Sequence, residues 1–422
     1  MNFFVLAVAL LASAQVVWAD ESVQNSTITL GQAIAFTLDK NPQLTGYAYR
    51  FRVQEGEREV AALKPGYTFV AEMENIAGTG SLKGVDAAEA TLALSSVIEL
   101  GNKREARLDW FSASQQQLVS EKRVVTLDLL SEVTRAFVDL VAAQERLASQ
   151  QAFHQLAGET VTALRRQVDA GRTPEAELLR SMAALARADT GRRKAEVEVA
   201  NARLRLSAFW GESTPNFSLA VASLFDLPEP VALPDLINSL EKNPDLALLA
   251  DVIAVQDAEL RKAQAEGKAD LEWNAGIRQF QEGNDAALVL GMSLPLGAER
   301  RARGAIAAAS ANREAVLYQR DTARTQLQAR LRSSYESYRQ SLAEMKILQS
   351  EVLPLLVTAM KSTSAAFAQG RYGYMEMSAA QAELLDAQQS LIDAAVAAHE
   401  IRIDIERITG SAITEKYTEA TL

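Results

Sequence analysis

The chain has 422 residues, 48% hydrophobic but only 6% aromatic, with a net charge of −11 and a pI near 5.0. Its apolar content is mainly Ala, Leu and Val, a long-helix composition, and its acidity argues against wrapping nucleic acid, since phosphate contacts need clustered Lys and Arg. The absence of cysteine excludes disulfides, thiolate metal sites, a cysteine nucleophile and a lipidated N-terminal cysteine.

Residues 1–19 read as a signal peptide: Phe3 to Leu11 is apolar, and Val17-Trp18-Ala19 resembles a cleavage site ending at Ala19. The stretch lacks Lys and Arg, and a buried first helix is the alternative. No later apolar run reaches the roughly 18 to 20 residues a helical span needs. If the chain enters a membrane after processing, strands must do it.

From there the chain says most things twice. TLDKNPQLTGY (37–47) is matched by SLEKNPDLALL (239–249), and IELGNKREAR (98–107) by LPLGAERRAR (294–303). VDAGRTPEAELL (168–179) is matched by FAQGRYGYMEMS (367–378), and all three offsets are about 200 residues. That period is far longer than the roughly 20 to 50 residues of a solenoid repeat. It predicts two tandem repeats, 20–220 and 221–410, followed by a C-terminal tail, 411–422. Each repeat reads as short helix, strand, loop, strand, long helix, turn, shorter helix.

In the first repeat the predicted strands are Tyr67–Asn75 and Ala90–Leu100; in the second, Leu271–Phe280 and Ala286–Leu296. Leu92, Leu94, Ser96, Ile98 and Leu100 alternate with Thr91, Ala93, Ser95, Val97 and Glu99, and Leu288, Leu290, Met292, Leu294 and Leu296 alternate likewise. Period two marks a strand with one apolar face, and about 10 residues suffice for a tilted transmembrane strand. A soluble sheet packed on its own helices is the alternative. Glu72 and Glu74 flank Met73, so both are candidate lumen-facing residues.

Between Lys103 and Arg165 there is no proline and only one glycine, Gly158. About 60 helical residues span about 90 Å. A similar run from Glu299 towards Phe367 is interrupted by Pro354, which predicts a kink. Val133, Phe137, Leu140, Gln144 and Leu147, and again Leu331, Tyr335, Tyr338, Leu342 and Met345, step by four and three, the mark of a coiled-coil seam. Gly171 and Gly370 predict sharp reversals into antiparallel partner helices.

Four strands do not close a barrel; about eight is the minimum. An open edge in lipid leaves N–H and C=O groups unpaired at about several kcal/mol each. Identical neighbours must supply the missing edges: two copies give eight strands with little lumen, and three give twelve with room for a channel. The fold expected is therefore mostly α with a small β part. Long antiparallel helical hairpins form an α-barrel, and four transmembrane strands per protomer join a trimeric 12-stranded β-barrel.

No catalytic, cofactor or metal constellation emerges. The two histidines, His154 and His399, are far apart and read as helix packing, and neither a P-loop nor HExxH occurs.

The duplicated layout resembles the TolC-like outer-membrane efflux proteins over nearly the whole mature chain. EMENIAGTGSLKG (72–84) followed by VIELGNKREAR (97–107) is similar to the heavy-metal, CzcC-like branch, whose strand ends in a Glu-Asn-rich stretch before a Gly-rich loop and an ELGGKR-type turn. Asn102 stands where the second glycine of that turn would be. Phe367-x-x-Gly370-Arg371 resembles the family's repeat-end turn, although Ser378-Ala379-Ala380-Gln381 replaces its Leu-Asp-Ala-Gln. The resemblance implies an outer-membrane homotrimer held by lipid contacts. It also implies docking to a periplasmic adaptor (membrane fusion protein) and an inner-membrane resistance-nodulation-division pump. It makes Asp169, Arg172, Glu175, Arg371 and Glu376 candidates for a periplasmic gate or adaptor contact.

The function expected is a passive exit duct of a tripartite efflux system for heavy-metal cations. Organic-solute or drug efflux and type I secretion are the alternatives within that class. A periplasmic coiled-coil scaffold is the alternative outside it, and an enzyme is a distant third.

Overall fold

The computed structural model describes residues 26–410; the expected signal peptide, 1–19, and the tail, 411–422, lie outside the described residues. The first half runs β1 (Thr27–Ile28), α1 (Leu30–Lys40), α2 (Pro42–Ala62), β2 (Thr68–Glu74), β3 (Glu89–Ile98), α3 (Lys103–Asp169) and α4 (Glu175–Ala208). The second runs β4 (Leu219–Ala220), α5 (Leu233–Ser239), α6 (Pro244–Glu266), β5 (Leu271–Phe280), β6 (Ala286–Ser293), α7 (Ala298–Ile347), α8 (Leu353–Ala368) and α9 (Tyr374–Thr409). The order of elements recurs, except that the second half has α7 and α8 where the first has α3 alone. Among the described residues, no helix is long and apolar enough to cross a membrane.

The repeated Asn-Pro pair has one structural role in both halves. Asn41 caps α2, its Oδ1 accepting from the amides of Gln43 (2.9 Å) and Leu44 (3.3 Å), and Pro42 fills the first helical position, where no amide is required. Asn243 caps α6 by accepting from the Leu246 amide at 2.9 Å, with Pro244 following. The same side chains reach across to the end of the last helix in their own half. Asn41 Nδ2 donates to the Phe209 carbonyl (2.8 Å) and Asn243 Nδ2 to that of Ile408 (2.6 Å).

α3 continues unbroken for 67 residues, about 100 Å at 1.5 Å per residue. It begins beside the sheet and ends just before Gly171. In the second half, Pro354 has the expected consequence. α7 passes through a π-helical stretch, Leu348–Val352, before α8, because a proline has no amide to donate and its ring crowds the preceding turn. Gly171 (φ +68°) and Gly370 (φ +71°) take left-handed backbone, and each closes its helix with the same pair of bonds. The Arg172 amide donates to the Gln167 carbonyl and that of Gly171 to Val168; in the second turn, Arg371 donates to Ala366 and Gly370 to Phe367. Asn102, in the place of the glycine of the ELGGKR-type turn, adopts φ +60°, a conformation asparagine tolerates better than most residues.

The main core lies halfway along the helices. Val133, Phe137 and Leu140 of α3 and Leu331 and Tyr338 of α7, all seam positions, pack there with Leu391 and Ile403 of α9. Short segments girdle this level. β1 pairs in parallel with β4, and Gln144 clasps β4, donating to the Ala220 carbonyl (3.0 Å) and accepting from its amide (2.8 Å). Tyr338 donates to the Pro228 carbonyl at 2.7 Å, and burial pushes its phenol up to about 12.

His399 on α9 is buried, with Nε2 donating to the Leu224 carbonyl at 2.9 Å. Its Nδ1 is buried without a partner among the described residues. Desolvation lowers its affinity for protons below the usual value of 6.5, against the pull of that carbonyl. The native state therefore holds the neutral ring. Its contribution is complete above the unfolded value and is lost as pH falls through it towards the native one. The stability advantage of the wild type over His399→Gln should shrink in urea titrations between about pH 7.5 and pH 5. A pH-independent difference would contradict this reading.

Candidate functional site: the two-faced sheet and the hairpin tips

The sheet has the order β2-β3-β5-β6, antiparallel throughout. Its register gathers the aliphatic residues on one face. Phe69, Leu94, Ala275 and Leu290 form one row, and Ala71, Leu92, Ile277 and Leu288 the next. No helix covers this face: Leu288, Leu290 and Met292 are 80%, 79% and 74% exposed, and Phe69 is 68% exposed. Single exposed apolar side chains are ordinary, but a contiguous apolar sheet face marks a membrane or protein contact. Tyr67 and Trp273 stack edge to face at 6.4 Å at the helix-proximal end of the sheet, the place of an interfacial aromatic belt.

The opposite face is small and polar. Glu72, Thr91, Arg278 and Ala287 share a row, and Glu74 and Glu89 sit in the row beyond it. Arg278 is a functional residue the sequence reading missed. Its Nε donates to Thr91 Oγ1, and its two terminal nitrogens reach Glu89 and Glu74, all at 2.9 Å. Its only signal was a lone arginine at the inward phase of a strand whose one other charge is Glu272. Glu74 is thus spent on a cross-strand bridge. Glu72 is exposed and makes no ion pair among the described residues. Gly276 sits in this face so close to β3 that a Cβ there would lie 2.5 Å from the Leu92 carbonyl oxygen.

The strands stop where the chemistry of their ends dictates. β6 ends at Ser293, short of the expected Leu296, because Pro295 has no amide for a ladder. β3 ends at Ile98 ahead of the Gly101-Asn102 turn.

About 100 Å away, at the far end of α3, the two hairpin tips meet. Leu164 of α3, Met360 and Phe367 of α8 and Tyr374 and Met377 of α9 form a second apolar cluster. Gln167, also missed from sequence, joins the two turns. It accepts from the Thr173 hydroxyl (2.9 Å) and donates to the Phe367 carbonyl (3.3 Å). Gln381, which with Ala380 is retained from the altered repeat-end motif, is buried and donates to Thr160 Oγ1 at 2.9 Å.

The structure brings Asp169, Arg172, Glu175, Arg371 and Glu376 to this one end, all exposed. Glu376 is occupied with capping α9, accepting from the Gly373 amide at 3.1 Å. The other four make no ion pair or side-chain hydrogen bond among the described residues. Within a single protomer they lock nothing. His154 faces α4, 3.9 Å from Asp189. Among the described residues, no cluster of three His, Asp or Glu is placed to hold a metal.

Residues 39–212 match the family described as outer membrane efflux protein. It is 25% identical over 328 residues to the cobalt-zinc-cadmium resistance protein CzcC of Cupriavidus metallidurans, covering 76% of this chain and 77% of that protein. It is 24% identical to the nickel-cobalt-cadmium resistance protein NccC of Alcaligenes xylosoxydans xylosoxydans, over 65% of this chain and 61% of the relative. Among solved structures, the outer-membrane channel OprN superposes with a TM-score of 0.75 at 20% identity, over 91% of this chain and 90% of its own. CusC gives 0.75 at 14% identity, over 91% and 92%. The fold is that of these channels. The matched family is one of outer membrane efflux proteins, and the solved structures that share the fold are described as channels.

Proposed function

We propose that the protein is one of three protomers of a passive exit duct through which heavy-metal cations leave the cell. In this reading the four strands join those of two neighbours in a 12-stranded barrel, and the hairpins continue it as a periplasmic α-barrel. A periplasmic adaptor and an inner-membrane resistance-nodulation-division pump supply selectivity and energy. The observation that carries it is the sheet itself, apolar and uncovered on one face, polar on the other, and open at the β2 and β6 edges. Such a sheet is stable in lipid only when its edges are paired.

The two halves, 20–220 and 221–410, act as two repeats, each contributing one strand pair and one hairpin to the wall. Glu72 and Glu74 face the lumen near the exit, with Glu72 free to meet a cation. Asp169, Arg172, Glu175 and Arg371 find their partners on a neighbouring protomer or an adaptor at the tip. The similarity to CzcC and NccC favours metal cargo over organic solutes or secreted protein.

A deletion strain should lose tolerance to divalent metals and regain it from the plasmid-borne gene. Unchanged metal tolerance with raised sensitivity to organic toxicants would move the cargo to that class. Reconstituted protein carrying Arg371→Ala should show a raised basal conductance; an unchanged closed state would remove Arg371 from the gate.

A further inference from the structure

Where the strands hand over to the helices, the two sides of the junction differ. Glu99 and Asp270 keep the polar phase of β3 and β5, since each lies an even number of residues from Thr91 or Arg278. Glu99 holds Arg107, and Asp270 holds Lys103 at 2.7 Å. These two bonds mark the polar-face side of α3. Glu105 and Asp109 point the other way, about 160° round the helix from Arg107. They look out on the side of the apolar sheet face.

α6 runs antiparallel beside α3 at this level. A Cβ on Gly101 would lie 2.5 Å from Lys268 Cγ, and Lys262 Nζ stands 5.2 Å from the Trp110 ring centre. Between the two helices lies a depression of about 400 Å³, lined by Asn102, Glu105 and Asp109 and by Arg261, Gln264 and Lys268. The side chains of Asn102, Glu105, Asp109 and Arg261 make no ion pair or hydrogen bond among the described residues. Lys268 holds only Glu299, at 3.0 Å, in a pair exposed at both ends. Such a pair contributes little and yields to a stronger partner.

Directly above this depression is the last outward row of the sheet, where Ile98 faces Leu271, and beyond it the row of Trp273. Ile98 and Leu100 are 47% and 42% exposed. An apolar wall thus runs without a break into a charged hollow at the level of the aromatic belt.

The charges in the hollow come in order. Nearest the sheet stand two donors, Lys268 and the side-chain amide of Asn102. Glu105 lies about 6 Å beyond Gly101 along α3 and Asp109 about 12 Å beyond it, with Arg261 closing the far end. A ligand that fits offers apolar chains first, then an anion, then a cation. That is the order of acyl chains, phosphate and ammonium in a phosphoethanolamine lipid. A headgroup with phosphate alone would leave the two carboxylates facing a like charge. Asn102 adds to the case. It stands where the ELGGKR-type turn has its second glycine, and glycine would accept the φ of +60° at least as well. What the asparagine brings is a donor at the height of Lys268.

We infer that this hollow binds the headgroup of a phosphoethanolamine lipid from the leaflet on the helix side. Its phosphate accepts from Lys268 Nζ and Asn102 Nδ2, its ammonium donates to Glu105, and its chains lie along Ile98 and Leu271. This rests on the apolar sheet face lying in lipid and names the lipid that seats its lower rim.

The test uses full-length protein in a non-ionic detergent with equimolar phosphatidylethanolamine and phosphatidylglycerol of the same acyl chains. Native mass spectra should show preferential retention of phosphatidylethanolamine. Lys268→Gln and Glu105→Gln should each lower that retention on the order of tenfold, the size of one lost charge-assisted contact. Asn102→Gly should lower it too, with the turn intact. Glu105→Lys should reverse the preference towards phosphatidylglycerol, which a merely misfolded variant would not do. Equal retention of both lipids by the wild type, or an unchanged preference in Glu105→Lys, would overturn the site. So would displacement of the lipid by inorganic phosphate at the same concentration, since the apolar row would then contribute nothing. These failures leave the lipid-facing sheet standing. Recovery of Leu290→Arg in the outer membrane at the wild-type level would instead remove that face and this site with it.

Discussion

Leu290→Arg should prevent stable assembly in the outer membrane, at a cost of about 2–4 kcal/mol for an arginine near the bilayer midplane. The residue is 79% exposed in the protomer. For a solvated sheet the same change would matter little, since surface substitutions away from special features fall within about 0.5 kcal/mol. The lipid reading and the soluble-scaffold reading therefore predict opposite outcomes from one variant. Val289→Arg is the companion, because the register puts Val289 beside Gly276 on the polar face, where a charge meets water. Membrane fractionation and resistance to mild wash give the result. Equal recovery of Leu290→Arg and wild type in the outer membrane would remove the lipid-facing role of this face.

Phe137→Ala should destabilise the helical body by about 3–5 kcal/mol, the range for deleting a buried phenylalanine. Phe137 is 2% exposed and sits where α3 meets the girdle and the helices of the second half. The cavity left by the ring cannot close without moving elements from both halves. Urea midpoints of detergent-solubilised protein measure the loss, with Leu179→Ala, at an exposed position, as a reference expected to change little. Comparable midpoints for the two variants would mean that the mid-length core does not hold the halves together.

These two residues also show what is legible without coordinates. The alternation around Leu290 specifies strand, face and near-correct ends, because period two is a local property of the chain. Phe137 stands out through its four-and-three spacing, again local. The two hairpin turns are readable from Gly171 and Gly370, since few other residues accept that backbone. What stays hidden depends on distant segments meeting. Nothing near Thr27 announces its parallel partner Leu219, and Gln144, placed on the seam by spacing, in fact clasps a strand edge. The tip residues stand out by charge and position, and the structure does bring them to one end. Four of them make no ion pair among the described residues, so charge alone names no partner for them. Gln167 and Arg278 carry ordinary polar side chains whose roles appear only once the neighbouring hairpin or strand is in place.

The π-helical stretch at Leu348–Val352 shifts which side of the helix looks inward. One additional residue in a turn rotates everything after it by about 100°. Upstream, the buried stripe steps by three and four through Leu331, Tyr335, Tyr338, Leu342 and Met345. Downstream it resumes at Met360 and Phe367, one position later than an uninterrupted count would place it. The bulge thus works as a phase corrector, and Pro354 makes its location unambiguous. Deleting one residue between 348 and 352 would regularise the backbone locally, yet it would turn Met360 and Phe367 away from α9 and loosen a tip about 25 Å further along.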